Sequence, residues 1–85
     1  SEKLFELRNE LSDAMSEGAG IFREERGLKR TLEKVREIKE RAKKLKVYDH
    51  EMTFNTNLQQ TLEFLNMVEV AETIVLGALE RKESR

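Results

Sequence analysis

Eighty-five residues make one domain at most, and a chain of this size buries only roughly two-thirds of the surface it would expose unfolded, so its stability is limited to about 5–13 kcal/mol. The lack of cysteine excludes disulfides, thiolate nucleophiles and cysteine-ligated metal clusters within these residues, and a net charge of −1 supplies no positive field to gather nucleic acid or an anionic membrane. With no proline, four glycines and 39% charged residues, mostly straight-chain Glu, Lys and Arg, the composition points to helices with long solvated faces.

Leu4, Leu7, Leu11, Ala14 and Met15 recur at steps of three or four, with charged residues between them, and predict a helix over 2–17. Gly18-Ala19-Gly20 is read as its stop, since two close glycines cost helix entropy and offer the left-handed geometry of a helix end. Ile21 and Phe22 in the following turn are expected to plug one end of the bundle.

A second helix, 23–46, carries Leu28, Leu32, Val35, Ile38, Ala42 and Leu45 on one narrow face. Its other face is dense in Lys, Arg and Glu, and Glu37 with Arg41 and Glu40 with Lys44 have the favourable order for ion pairs one turn apart. Val47 to Thr53 breaks the period.

Thr56 and Gln59 have the spacing of a capping box, so the third helix, 55–81, begins near Asn55 or Thr56. Leu58, Leu62, Leu65, Val68, Ala71, Val75 and Leu79 are read as its main stripe, with Phe64, Met67, Val70, Ile74 and Leu76 beside it. This helix is apolar over more than half its circumference, either as core or as a surface that docks on another domain. The fold expected is an all-α antiparallel three-helix bundle, spectrin-repeat-like, with helices of roughly 25, 34 and 40 Å.

Few residues carry chemistry. Asp49, His50 and Glu51 are consecutive rather than one helical turn apart, so they do not converge as metal ligands would. Gly18-Ala19-Gly20 follows a helix, not a strand, and lacks the Lys-Ser or Lys-Thr of a phosphate cradle. The basic run Arg41, Lys43, Lys44 and Lys46 has no interleaved aromatics for base stacking. Met67 to Leu79 is interrupted by Glu69 and Glu72 and is too short to cross a bilayer, and Ser1 opens no signal-like segment. No catalytic, cofactor-binding or metal-ligating residue is assigned.

Three stretches together carry a resemblance. Leu7-Arg8-Asn9-Glu10-Leu11 with Met15 and Gly20-Ile21-Phe22-Arg23 forms the first, and Phe54-Asn55-Thr56 leading into Thr61-Leu62-Glu63-Phe64-Leu65-Asn66-Met67 and Ala71-Glu72 the second. The third is Ala78-Leu79-Glu80-Arg81-Lys82-Glu83-Ser84-Arg85. In this order they resemble the C-terminal helical domain of the succinate dehydrogenase and fumarate reductase flavoproteins, over nearly the whole chain. L-Aspartate oxidase has a similar domain, but the Phe54-Asn55-Thr56 turn favours the succinate dehydrogenase side.

The resemblance implies that residues 1–85 form the C-terminal helical domain of a much larger chain. That parent holds FAD, closes a capping domain over a C4 dicarboxylate, and interconverts succinate and fumarate by hydride transfer to or from the flavin. Its partners are then its own FAD and capping domains and an iron-sulfur subunit, in the cytoplasm at the inner face of the cell membrane, and the isolated domain could pair as a homodimer. Arg23, Asn55, Asn66, Glu83, Ser84 and Arg85 match family motifs as candidates for fixing turns or anchoring the bundle to the flavin domain. The rival reading is a stand-alone helical interaction module, in which the apolar side of the third helix recognises a partner.

Overall fold

Three helices account for every described residue of a computed structural model: α1 (Glu2–Ile21), α2 (Glu25–Glu51) and α3 (Asn55–Glu83). The structure describes the backbone of residues 2–21, 25–51 and 55–83, and the side chains of 3–16, 26–48 and 58–82. The all-α three-helix architecture expected from the periodicity is therefore observed, in a molecule 49 Å long and 19 by 14 Å across.

The stripe on α2 is the centre of the core. Leu28, Leu32, Val35, Ile38, Ala42 and Leu45 are all buried, as their spacing predicts. Leu4, Leu7 and Leu11 of α1 and Phe64, Val68 and Ala71 of α3 join Val35, Ile38, Ala42 and Leu45 in one apolar cluster, against which Met15 and Leu65 pack. Leu28 and Leu32 meet Val75 and Leu79 in a second cluster, where Met15 also packs. The early part of α2 thus lies beside the late parts of α1 and α3, so α2 runs antiparallel to both. Contact between α1 and α3 is slight; each is held chiefly by α2.

Three predicted ends move outward, the third, of α3, by two residues. α1 continues through Gly18-Ala19-Gly20 to Ile21, because glycine weakens a helix by about 1 kcal/mol per residue without forbidding it, and an established helix extends at one hydrogen bond per residue. α2 continues to Glu51, five residues beyond its predicted end at Lys46. Val47 and Tyr48 are exposed there, so the loss of period marks where packing stops rather than where the backbone stops. α3 begins at Asn55, as read from the sequence, and ends at Glu83. The expected plug by Ile21 and Phe22, the capping box at Thr56 and the start of the second helix at Arg23 lie outside the described side chains and backbone.

The larger correction concerns which face of α3 is core. Phe64, read as lying beside the stripe, is fully buried with Thr61, Val68 and Val75, whereas Leu62, read as part of it, is 42% exposed. At about 100° per residue Phe64 lies roughly 40° from Val68 around the helix and Leu62 roughly 120°. In a helix apolar on most sides, periodicity cannot choose between arcs; contact with α2 does. Thr31, the buried threonine of α2, has its hydroxyl donated to the Gly27 carbonyl at 3.0 Å.

Truncating Phe64 is expected to be far more damaging than truncating Leu62. Urea unfolding should give a loss of about 3–5 kcal/mol for Phe64→Ala and within about 0.5 kcal/mol for Leu62→Ala. Equal losses would restore the stripe first read from the sequence.

Candidate functional site

The narrow stripe of α2 is flanked on each side by a pair of cations. Lys34 and Arg41, seven residues apart, lie on the edge facing α1, and Arg36 and Lys39 on the edge facing α3. Each pair receives one carboxylate from the neighbouring helix. Both terminal guanidinium nitrogens of Arg41, Nη1 and Nη2, donate to Glu10 at 2.7 Å, and Lys34 Nζ donates to the same carboxylate at 3.1 Å. On the other edge Arg36 Nε donates to Glu72 at 2.9 Å and Lys39 Nζ at 3.1 Å.

These arrangements shift the acids. The Arg41 hydrogen bonds, aided by Lys34, pull the Glu10 carboxyl from its ordinary 4.5 down to about 2. Arg36 and then Lys39 lower Glu72 in the same direction. The pull is reciprocal, since Glu10 raises both Lys34 and Arg41. Along α2 itself, Glu37 lies 3.6 Å from Arg41, as its spacing predicts, while Glu40 takes Lys43 at 3.6 Å. These clamps were not foreseen, because their carboxylates come from other helices; the signal was the placement of cations on both borders of one apolar stripe.

The described residues form a cleft as well as the clamps. An open cleft of about 340 Å³ lies between Lys3, Glu6 and Leu7 of α1 and Arg41, Lys44, Leu45 and Tyr48 of α2. Lys3 Nζ stands 5.9 Å from the Tyr48 ring centre. Among the described residues no three His, Asp or Glu side chains gather as a metal site, and no helix is long and apolar enough to cross a membrane.

Five of the six residues singled out from the sequence have side chains outside the described set. Asn66 is exposed on the outer face of α3. Asn55 and Glu83 are the first and last residues of that helix, roughly 42 Å apart along its axis, with side chains outside the described set. Arg23, Ser84 and Arg85 also lie outside the described residues. What α3 does present outward is apolar: Met67, Val70 and Ile74 are each at least half exposed, with Leu62 and Leu76 on another side of the helix.

The model of the family described as fumarate reductase flavoprotein C-term matches residues 8–85. The chain belongs to this family. It is 39% identical over all 85 residues to the fumarate reductase flavoprotein subunit of Haemophilus influenzae and 34% identical over 85 residues to the succinate dehydrogenase flavoprotein subunit of Bacillus subtilis. With the succinate dehydrogenase flavoprotein subunit of Coxiella burnetii it shares 40% identity over 79 residues, 93% of the chain. In each case the chain spans 14% of the length of the relative it matches. No solved structure matches it.

The family name implies a flavin, and among the described residues the glycine-rich run does not have the setting of a Rossmann-type dinucleotide site. A dinucleotide is held where a strand passes through a glycine-rich turn into a helix, and here Gly18-Ala19-Gly20 is itself helical within α1. No step of redox chemistry is therefore assigned to the chain's own side chains.

The clamps give this flavoprotein C-terminal domain a definite acid response. Glu10 binds a proton less tightly folded than unfolded, so its stabilisation is complete above its ordinary 4.5 and is lost as pH falls from there toward about 2. Urea unfolding between pH 7 and pH 2 should show Glu10→Gln less stable by about 1 kcal/mol at neutral pH. The two proteins should converge at the acid end. A difference that persists at pH 2 would mean the loss is not electrostatic.

Proposed function

We propose that this chain is the C-terminal helical domain of an FAD-dependent flavoprotein subunit that interconverts succinate and fumarate, and that it serves that subunit as a packing scaffold. The observation that carries the reading is that the whole chain matches succinate dehydrogenase and fumarate reductase flavoprotein subunits while covering 14% of their length. Binding of FAD, closure over the dicarboxylate and hydride transfer belong to the remaining polypeptide. Residues 1–85 form one domain whose three helices keep their register through the two clamps on α2.

In this reading Arg23, Asn55, Asn66, Glu83, Ser84 and Arg85 fix the connections or anchor the bundle to the flavin domain. The parent subunit assembles with an iron-sulfur subunit on the cytoplasmic side of the cell membrane.

Two measurements test this. The native polypeptide should be several times longer than 85 residues and should carry flavin and oxidise succinate or reduce fumarate. The 85-residue chain purified alone should be colourless and inactive. Flavin absorbance or succinate oxidation in the 85-residue chain, or a native product no longer than it, would overturn the proposal.

A further inference from the structure

From Arg26 to Lys46, every exposed residue of α2 is charged. α3 departs from that rule. Met67, Val70, Ile74 and Gly77 follow one another at steps of three and four on the side of α3 turned away from Val68 by roughly 100° or more. They form an uncharged stripe about 15 Å long, in which the three side chains are 53%, 59% and 50% exposed. At Gly77 the stripe is bare backbone: a Cβ built there meets nothing within 4 Å, so another backbone can approach closely.

The bundle has no use for this stripe. α3 seats on α2 through Phe64, Val68, Ala71 and Val75, and α1 lies across α2 rather than over the outer side of α3. Two of the residues that match the family motif, Asn66 and Met67, lie at this outer surface and not in the core.

We propose that the Met67–Val70–Ile74 stripe, with the open backbone at Gly77, is the surface on which the remaining polypeptide of the same flavoprotein chain packs. This rests on the reading that the chain is one domain of a longer subunit. Most of each relative's length lies outside the match, so ample chain exists to cover the stripe. A second copy is the weaker occupant. Three half-exposed aliphatic side chains fall far short of the roughly 800 Å² per partner that a stable pair of separate chains buries. A covalently joined segment needs much less, because tethering holds it at an effective concentration of the order of millimolar.

The test is cysteine accessibility in the full-length subunit, with each site read by mass spectrometry after a maleimide pulse. Val70→Cys probes the stripe, and Glu33→Cys on α2 and Phe5→Cys on α1 probe other exposed positions. All three replace exposed side chains and should leave the fold intact. If the stripe is the seat, Val70→Cys reacts at least roughly ten-fold more slowly than Glu33→Cys, at every protein concentration. Val70→Cys reacting as fast as Glu33→Cys while Phe5→Cys is protected would overturn the stripe and leave the scaffold reading standing. Fast reaction at all three sites would overturn both. Protection of Val70→Cys that disappears on dilution would make a second copy the occupant and overturn the proposal.

Discussion

The arrangement turns on α2 and on its being shared. Its apolar stripe is narrow, yet it must serve two neighbours, since α1 and α3 scarcely touch each other. Apolar contact alone is non-directional and would tolerate sliding of either helix along α2. The cations on the two borders of the stripe remove that freedom. Arg41 grips Glu10 through both oxygens, and Arg36 and Lys39 converge on Glu72, so each outer helix is held at one axial position. Such pairs add little net stability in partly solvated positions, but misplacing a carboxylate by one turn would leave it facing the wrong groups.

This division of labour explains why the three helices look so different. α2 can be almost wholly charged outside its stripe because both of its flanks are occupied by ion pairs to neighbours and the rest is solvent. α1 needs one apolar edge, and has it in Leu4, Leu7, Leu11 and Ala14. α3 carries more apolar surface than α2 can cover. The excess, at Met67, Val70 and Ile74, is not explained by the bundle, and it is the property expected of a domain built to sit against more protein.

The functional reading follows from the same economy. Among the described residues the interior is filled by apolar side chains, and the cleft between α1 and α2 is open and lined by Lys3, Arg41, Lys44, Tyr48 and their neighbours. The proposed contribution to a flavoprotein subunit, shape and attachment, asks for no more than this. Family membership rests on the whole-chain match, whereas composition and periodicity alone led only to a helical bundle with no chemistry of its own.

Much of the fold was legible because α1 and α2 are cleanly amphipathic: each of their stripe residues from Leu4 to Ala14 and from Leu28 to Leu45 is buried where spacing placed it. The motifs around Phe54-Asn55-Thr56 and Asn66-Met67 likewise carried the family in the residues themselves. Helix ends were less legible, since Gly18 and Gly20 lower helix propensity without deciding it, and Val47 and Tyr48 leave the apolar period while staying in the helix. Three outcomes belonged to tertiary structure alone: that Phe64 rather than Leu62 faces inward, that Glu10 and Glu72 close on cations 31 and 36 residues away in sequence, and that Met67, Val70 and Ile74 are left outside. Local pattern reports which side chains avoid water. Only the position of the neighbouring helix determines which of them succeed.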